Sequence, residues 1–176
     1  MRKKGIMLFL MVSVILGVPF AQAVDITMHG KLVAEPCAIV PGDEKQEVFV
    51  GNIGVAWLYD NPRTPGTDFN IRLKDCDTTI VNYVSIIFTG FSDCEMTDYL
   101  SIRTGCAWHP GAVIGLETQA GKFLPLDKKS DLFHLVNGAN IIGLRAFVRA
   151  TDRAIEERSI VAQQINATAW FTLDYT

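Results

Sequence analysis

The sequence lacks the residue patterns on which most catalytic centres and metal sites depend. Its four cysteines form no C-x-x-C pair, and no G-x-S-x-G frame is present. Its three histidines, His29, His109 and His134, stand far apart, with no spacing that indicates a metal site or a catalytic triad. Internal repeats, low-complexity tracts and convincing helical periodicity are also missing. The sequence therefore predicts no enzyme, no metal site and no cofactor.

Basic residues cluster only at the start of the chain. Arg2, Lys3 and Lys4 precede an apolar run over residues 6–18 and the small-residue sequence Ala21-Gln22-Ala23. This pattern predicts a signal peptide over residues 1–23, because the apolar run is short for a membrane span. The 153 residues that follow are enough for one domain. They carry 13 Lys and Arg against 19 Asp and Glu, a net charge of −6, which argues against a nucleic-acid partner.

An even number of cysteines in an exported chain predicts disulfide bonds. Cys37, Cys76, Cys94 and Cys106 can pair in three ways. We expect Cys37–Cys76 with Cys94–Cys106, because this arrangement links the first strand to a later one and keeps the second bridge local. The chain-entropy relation gives about 4 kcal/mol for the larger loop and about 3 kcal/mol for the smaller. Such bridges are typical of the bacterial periplasm or the cell exterior.

Alternation of apolar and polar residues is abundant, in contrast, and predicts an all-β fold. Short segments rich in Val, Ile, Phe and Tyr are separated by turn residues, and Asn137-Gly138 predicts a hairpin. Strand spacing of this kind is typical of an immunoglobulin-like sandwich. The predicted strands lie within residues 48–50, 69–73, 83–88, 113–116, 132–136 and 141–150.

The longest alternating segment covers residues 165–175, and only Trp170 interrupts its polar face. We expect one strand there with a single buried face, and so apolar a strand needs a partner. Its apolar positions are Ile165, Ala167, Ala169, Phe171, Leu173 and Tyr175. A second alternating segment begins after the predicted cleavage site, with Val24, Ile26, Met28, Gly30 and Leu32 in one phase.

Together these features resemble the pilin subunits of chaperone–usher fimbriae of the type 1 and P pilus kind. The resemblance is carried by the alternating segment before Cys37, by the spacing of Cys37 and Cys76, by residues 115–126, and by the C-terminal alternation with its penultimate Tyr175. It extends over essentially the whole chain after residue 23. The penultimate Tyr175 would be weak evidence by itself, whereas the N-terminal segment, the spacing of Cys37 and Cys76 and the C-terminal alternation are jointly specific.

The resemblance implies an incomplete immunoglobulin-like sandwich that lacks its last strand and is completed by donor-strand complementation. A periplasmic chaperone supplies the strand first, and at the outer-membrane usher the N-terminal extension of a neighbouring pilin subunit replaces it. Such strand addition combines main-chain hydrogen bonds with pockets for alternate side chains, and chaperone–pilin complexes are an established example. The implied donor residues are Val24, Ile26, Met28, Gly30 and Leu32. The implied acceptor groove and chaperone-binding residues are Ile165, Ala167, Ala169, Phe171, Leu173, Tyr175 and the carboxylate of Thr176.

The resemblance also implies a division of the chain and a destination. Residues 1–23 would be the signal peptide, residues 24–33 the donor-strand extension, and residues 34–176 the pilin domain. The protein would pass through the periplasm to the cell-surface fimbrium and contribute there to adhesion as a structural subunit. Cys94 and Cys106 are not a general family feature, and their presence favours a minor subunit.

A sugar-binding fimbrial adhesin or tip subunit is the alternative function. Trp57, Trp108 and Trp170 could form a sugar-binding platform, although scattered tryptophans more often belong to a core or an interface. Two-domain adhesins usually carry a lectin domain before the pilin domain, and 153 residues cannot hold both. A donor segment and an acceptor strand in one chain favour a subunit inside the fibre.

Overall fold

A computed structural model describes His29, residues 35–102 and residues 110–176 of the protein. The chain divides into two compact units, residues 1–33 and 34–176, and all described residues except His29 belong to the second. The predicted signal peptide, the five predicted donor residues and Cys106 lie outside the described residues. No helix in the described part of the chain is long and apolar enough to cross a membrane.

The described chain consists of eight β-strands and two short α-helices. The strands are β1 (Ala38–Ile39), β2 (Thr67–Cys76), β3 (Tyr83–Gly90), β4 (Leu100–Ser101), β5 (Ala112–Thr118), β6 (Phe133–His134), β7 (Gly138–Ala150) and β8 (Ala169–Tyr175). The helices are α1 (Val55–Asp60) and α2 (Asp152–Glu156). Thr151 caps α2, because its side-chain oxygen accepts a hydrogen bond from the backbone N–H of Ala154.

The strands form two antiparallel sheets. One has five strands in the order β1-β2-β7-β5-β4, and the other has three in the order β6-β3-β8. Buried side chains from both sheets form one hydrophobic cluster, with Ile71 and Leu144 from the larger sheet and Val84 and Ile86 from the smaller. The protein is therefore a two-layer sandwich whose core lies between the sheets.

The outer face of the five-stranded sheet is covered by side chains from its own strands and from a neighbouring loop. Phe147 of β7 lies on this face, opposite Gly115 of β5, and is only 2% exposed. A Cβ added at Gly115 would run into the Phe147 ring, so the glycine makes room for it. The Arg63 guanidinium lies 3.8 Å from the ring centroid and forms an ion pair with the nearly buried Glu117. An aromatic ring and an ion pair thus shield the middle of this sheet.

The long strands confirm most of the alternation read from the sequence. The predicted segments at residues 69–73, 83–88, 113–116 and 141–150 lie in β2, β3, β5 and β7. Residues 48–50 form no strand, although Val48 and Val50 pack against the core on either side of the exposed Phe49. The two helices were not predicted, since six and five residues are too few to show a helical period.

The hairpin predicted at Asn137-Gly138 is wrong. The strand before it, β6, pairs with β3, whereas the strand after it, β7, pairs with β2 and β5 in the other sheet. The Asn137 side chain accepts hydrogen bonds from the backbone N–H and hydroxyl of Thr78 instead of closing a two-residue turn. Gly138 has φ +88°, so its conformational freedom serves a corner between the two sheets.

One disulfide lies at the edge of the larger sheet. Cys37 and Cys76 are joined, which links the residues before β1 to the end of β2 and confirms that part of the expected pairing. Cys94 is also disulfide-bonded. Its expected partner, Cys106, lies outside the described residues, so the second pairing stays a prediction.

Replacing both Cys37 and Cys76 by alanine should destabilise the domain. The bridge spans a sequence separation of 39 residues, for which the chain-entropy relation gives about 4 kcal/mol. We expect a shorter half-life under limited proteolysis and less soluble protein in the periplasm. Peptide mapping of the unreduced native protein is the direct check, and a peptide linking Cys37 to Cys94 would contradict the pairing.

Candidate functional site

The last strand has an unpaired edge in the described structure. On one side β8 pairs with β3 along its whole length, from Gly90 opposite Ala169 to Val84 opposite Tyr175. On the other side no strand of the described residues is hydrogen-bonded to it. Every second backbone N–H and C=O of β8 therefore points away from the sheet, in the geometry that a further strand would use.

The inward face of β8 is apolar and only partly covered. Ala169, Phe171, Leu173 and Tyr175 pack against the core cluster, yet all four remain half-buried. Among the described strands of seven or more residues, β8 alone contains no fully buried residue. Its neighbour β3 presents Val84, Ile86 and Phe88 to the same core, and these are buried. The side chains of β8 are thus covered by the core on one side and open on the side of the free edge.

The strand begins later than the sequence predicted. It starts at Ala169 and not at Ile165, because β3 ends at Gly90 and offers the preceding residues nothing to pair with. Ile165 is half-buried against the core, whereas Ala167 is exposed and lies outside the strand. The structure brings Ala169, Phe171, Leu173 and Tyr175 together in one row. The roles of Ile165 and Ala167 in a groove stay predictions.

The row narrows sharply at its first residue. Gly90 faces the core opposite Ala169, and a Cβ added there would collide with the Leu100 side chain and lie 2.9 Å from the Thr168 carbonyl oxygen. Leu100 is 4% exposed and belongs to the core. A side chain at position 90 would therefore have to displace Leu100 or the backbone at Thr168, and the inward row begins here with glycine and alanine.

The chain terminus is held in the same ladder. The Thr176 N–H donates to the Tyr83 carbonyl and the Tyr83 N–H donates to the Thr176 carbonyl, so pairing continues beyond β8. Burial raises the pKa of the Tyr175 phenol above its usual range, and the nearby Glu35 carboxylate raises it further. The neutral phenol is therefore the form that packs in this row at physiological pH. The Thr176 side chain is exposed.

The outer face of β8 carries Trp170, Thr172 and Asp174. The indole of Trp170 is 55% exposed and meets the Phe91 ring edge-on, with ring centroids 6.2 Å apart. Asp174 forms an ion pair with Lys129. The outer face of β8 therefore presents one aromatic pair, one hydroxyl group and one ion pair. Among the described residues, no group of three or more His, Cys, Asp and Glu could hold a metal ion.

Comparison with known proteins identifies the family. The model of the family described as fimbrial protein matches residues 26–176. The chain belongs to this family. It is 30% identical over 154 residues to the type-1 fimbrial protein C chain of Escherichia coli, covering 85% of this chain and 82% of that protein. It is 29% identical over 164 residues to the fimbrial adapter PapK of Escherichia coli, covering 88% and 89% of the two chains.

The fold agrees with a solved fimbrial structure. A subunit of a chaperone–usher pilus, from a study of rod uncoiling, matches with a TM-score of 0.68 and 24% identity, over 91% of this chain and 99% of that one. The sandwich is therefore the immunoglobulin-like fold of pilus subunits. Family membership makes this protein a fimbrial subunit, whose place is the fimbrium at the cell surface.

Sequence reasoning missed two features of this site. Gly90 gave no sign that its side of the row has to be small, because that depends on Leu100, which the loop over residues 91–99 returns to the space beside it. Phe91 was not singled out either, although it follows directly on a predicted strand and its ring contacts Trp170. The interruption of the polar face at Trp170 was the one signal that could have pointed to this aromatic pair.

A charge on the inward face of β8 should be far more damaging than one on the outer face. Leu173→Asp places a carboxylate among core side chains, where we expect a loss of about 3 kcal/mol or more. Thr172→Asp places the same group in solvent and should change stability by about 0.5 kcal/mol or less. Soluble yield and protease resistance of the two variants provide the measurement. Equal loss in both would contradict the orientation described for β8.

Proposed function

We propose that the protein is a minor structural subunit of a chaperone–usher fimbria and that it polymerises by accepting a strand from a neighbouring subunit along β8. The observation that carries the proposal is an unpaired edge of β8 in the described structure beside a half-buried apolar row. An added strand would satisfy the backbone groups of that edge and cover the side chains. No catalytic step is part of this function.

The energetics favour a permanent occupant. Covering the exposed parts of several large side chains contributes on the order of 5 kcal/mol at about 25 cal/mol per Å². This is comparable to the whole net stability of a typical domain. A subunit whose groove is empty is therefore close to its stability limit, and one whose groove is filled is far from it.

The proposed donor is the segment before the pilin domain. In the next subunit of the fibre, residues 24–33 would form an extended strand, with Val24, Ile26, Met28, Gly30 and Leu32 facing the groove. The same segment lies outside the pilin domain of its own chain, residues 34–176. Each subunit can then both give and receive a strand, which is what growth of a fibre requires.

Two further partners follow from the need to cover the groove before the subunit enters a fibre. A strand-deficient subunit needs protection before assembly, and we assign this to a periplasmic chaperone that fills the groove and binds the Thr176 carboxylate through basic residues. The outer-membrane usher would then exchange the chaperone strand for that of the next subunit. The predicted signal peptide, residues 1–23, would deliver the chain to the periplasm. The type-1 and adapter relatives support a place inside a fibre, and the Cys94 and Cys106 pair supports a minor role.

The exported chain alone should aggregate or be degraded, whereas the chain with a filled groove should not. Without a chaperone, we expect little soluble monomer. Addition during refolding of a synthetic peptide with the sequence of residues 24–34 should yield a soluble protein with a cooperative thermal transition. A peptide with the same composition in scrambled order is the control. A soluble, stable monomer without peptide would contradict the proposal unless its own N-terminus is shown to occupy the groove.

Changing the donor segment should affect assembly and leave folding intact. Gly30→Asp would bring a Cβ and an unpaired charge to the narrow part of a neighbour's groove. Thr27→Asp changes the opposite face of the same strand and is the matched control. Both variants should co-purify with the chaperone as disulfide-bonded subunits, but only Gly30→Asp should be absent from fibres. Normal assembly of Gly30→Asp, or equal failure of Thr27→Asp, would show that the segment does not act in this orientation.

A further inference from the structure

Four exposed apolar side chains gather at the end of the three-stranded sheet where β8 finishes. The loop before β3 and the corner after β6 lie side by side there, because the Asn137 side chain accepts two hydrogen bonds from Thr78. Three of the four side chains are more than half exposed. We call the four the exit patch, and they are Ile80, Tyr83, Leu132 and Val136. A group of exposed apolar side chains of this kind is typical of a surface that meets another protein.

The chain enters the pilin domain beside the exit patch. The Pro36 carbonyl accepts a hydrogen bond from the Asp77 N–H, and the Asp77 carbonyl accepts one from the Ile80 N–H. Leu32, the last of the proposed donor residues, is only four positions before Pro36. Four extended residues span at most about 14 Å. A subunit that holds this extension in its groove is therefore held close to the exit patch.

The opposite end of the same sheet carries a second exposed apolar group, Phe91 and Trp170, which we call the ring pair. Both side chains are more than half exposed, although their rings contact each other edge-on. The backbone beneath them is fixed, because the Ser101 N–H donates to the Phe91 carbonyl and Trp170 pairs with Thr89 of β3. The eight residues of β3 separate the ring pair from the exit patch by about 25 Å. Within one domain the two groups therefore cannot cover each other.

Only one end of a receiving subunit is free to meet the exit patch of the subunit that it holds. At the Tyr175 end its own chain enters the domain, since the Glu35 carboxylate lies near the Tyr175 phenol. The chain terminus lies at the same end, where Thr176 pairs with Tyr83. The extension of the receiving subunit leaves there toward a further neighbour. The end that remains is the one with the ring pair.

Resting on the proposed function, we propose that the exit patch packs against the ring pair of a second copy of this chain, the copy that holds its extension. The contact is head to tail, because each copy presents a different surface to each of its two neighbours, and such contacts build a filament. Aromatic and aliphatic side chains bury apolar area that neither domain covers by itself. The short link gives the two surfaces a high effective concentration, so that a small apolar area is enough. Strand addition joins the subunits, and this contact sets the angle between successive domains.

Cysteine cross-linking in assembled fibres tests the contact. Leu132→Cys and Trp170→Cys are placed in the same chain, which is expressed with its chaperone and usher, and the fibres are oxidised mildly. We expect a ladder of disulfide-linked copies on a non-reducing gel after heating, because position 132 of one copy lies near position 170 of the next. Each single variant should give no ladder. Leu132→Cys with Trp57→Cys, an exposed tryptophan in α1, is the matched control and should give none either.

The release of subunits from fibres in guanidinium measures the strength of the contact. Trp170→Thr and Leu132→Thr should each make release about five- to tenfold faster, because each removes apolar area from the interface. The double variant should be faster than either single variant by no more than about twofold, since both changes remove the same contact. The complex of the exported chain with the peptide of residues 24–34 contains no second domain. Release of the peptide should therefore change by less than about twofold in all three variants.

The outcomes separate this contact from the proposed function. If the peptide yields soluble protein but the test pair gives no ladder, or no more than the control pair, strand addition holds and the contact is overturned. Equal acceleration of release in fibres and in the peptide complex would show that Trp170 acts within its own subunit, which also overturns the contact. If the peptide does not solubilise the chain and the chain is absent from fibres, the proposed function itself fails.

Discussion

The described structure depends on one constraint, which is that a sheet edge with an apolar inner face has to be covered. β8 closes the smaller sheet on one side, and its backbone groups and inward side chains face the same opening. Water can satisfy the backbone groups, but it cannot cover the apolar row without a loss of free energy. The described core is therefore incompletely covered along the edge of β8, and the proposed function uses this edge as the binding site. A protein with a complete sandwich would have no comparable reason to bind a strand.

The remaining elements hold this edge in position while it is uncovered. β3, the central strand of the smaller sheet, pairs with β6 and β8 and contributes fully buried residues to the core. The pairing of Thr176 with Tyr83 carries the ladder to the end of the chain, so the last row does not fray. The Cys37–Cys76 bridge joins the start of the domain to β2 in the opposite sheet. The open edge is thus held by paired strands and by a covalent bridge in the described domain.

Sequence alone predicted the parts of this arrangement that are set by local alternation. The inward row of β8 was found because period two is a property of neighbouring residues. The sequence did not predict where β8 starts, because its first paired residue depends on where β3 ends, at Gly90. The hairpin prediction at Asn137-Gly138 was wrong for a related reason. Turn residues specify a local bend, but they do not specify which sheet the following strand will join. Contacts between side chains, such as Leu100 beside Gly90, depend on how the intervening loop folds and could not be read from the alternation.

The two faces of β8 serve different physical purposes. In the proposed function the inward face would supply most of the affinity for an added strand, because burial of apolar area is strong but tolerates many side chains of similar size. Selectivity for one strand over another requires contacts whose strength changes sharply with position along the strand. At the start of the strand the inward row holds only Gly90 and Ala169, because the Leu100 side chain occupies the space that a side chain at position 90 would need. On the opposite face Trp170 is exposed beside Phe91, where solvent leaves room for polar and charged neighbours. A groove that relied on apolar burial alone would accept many alternating segments, including those of unrelated chains.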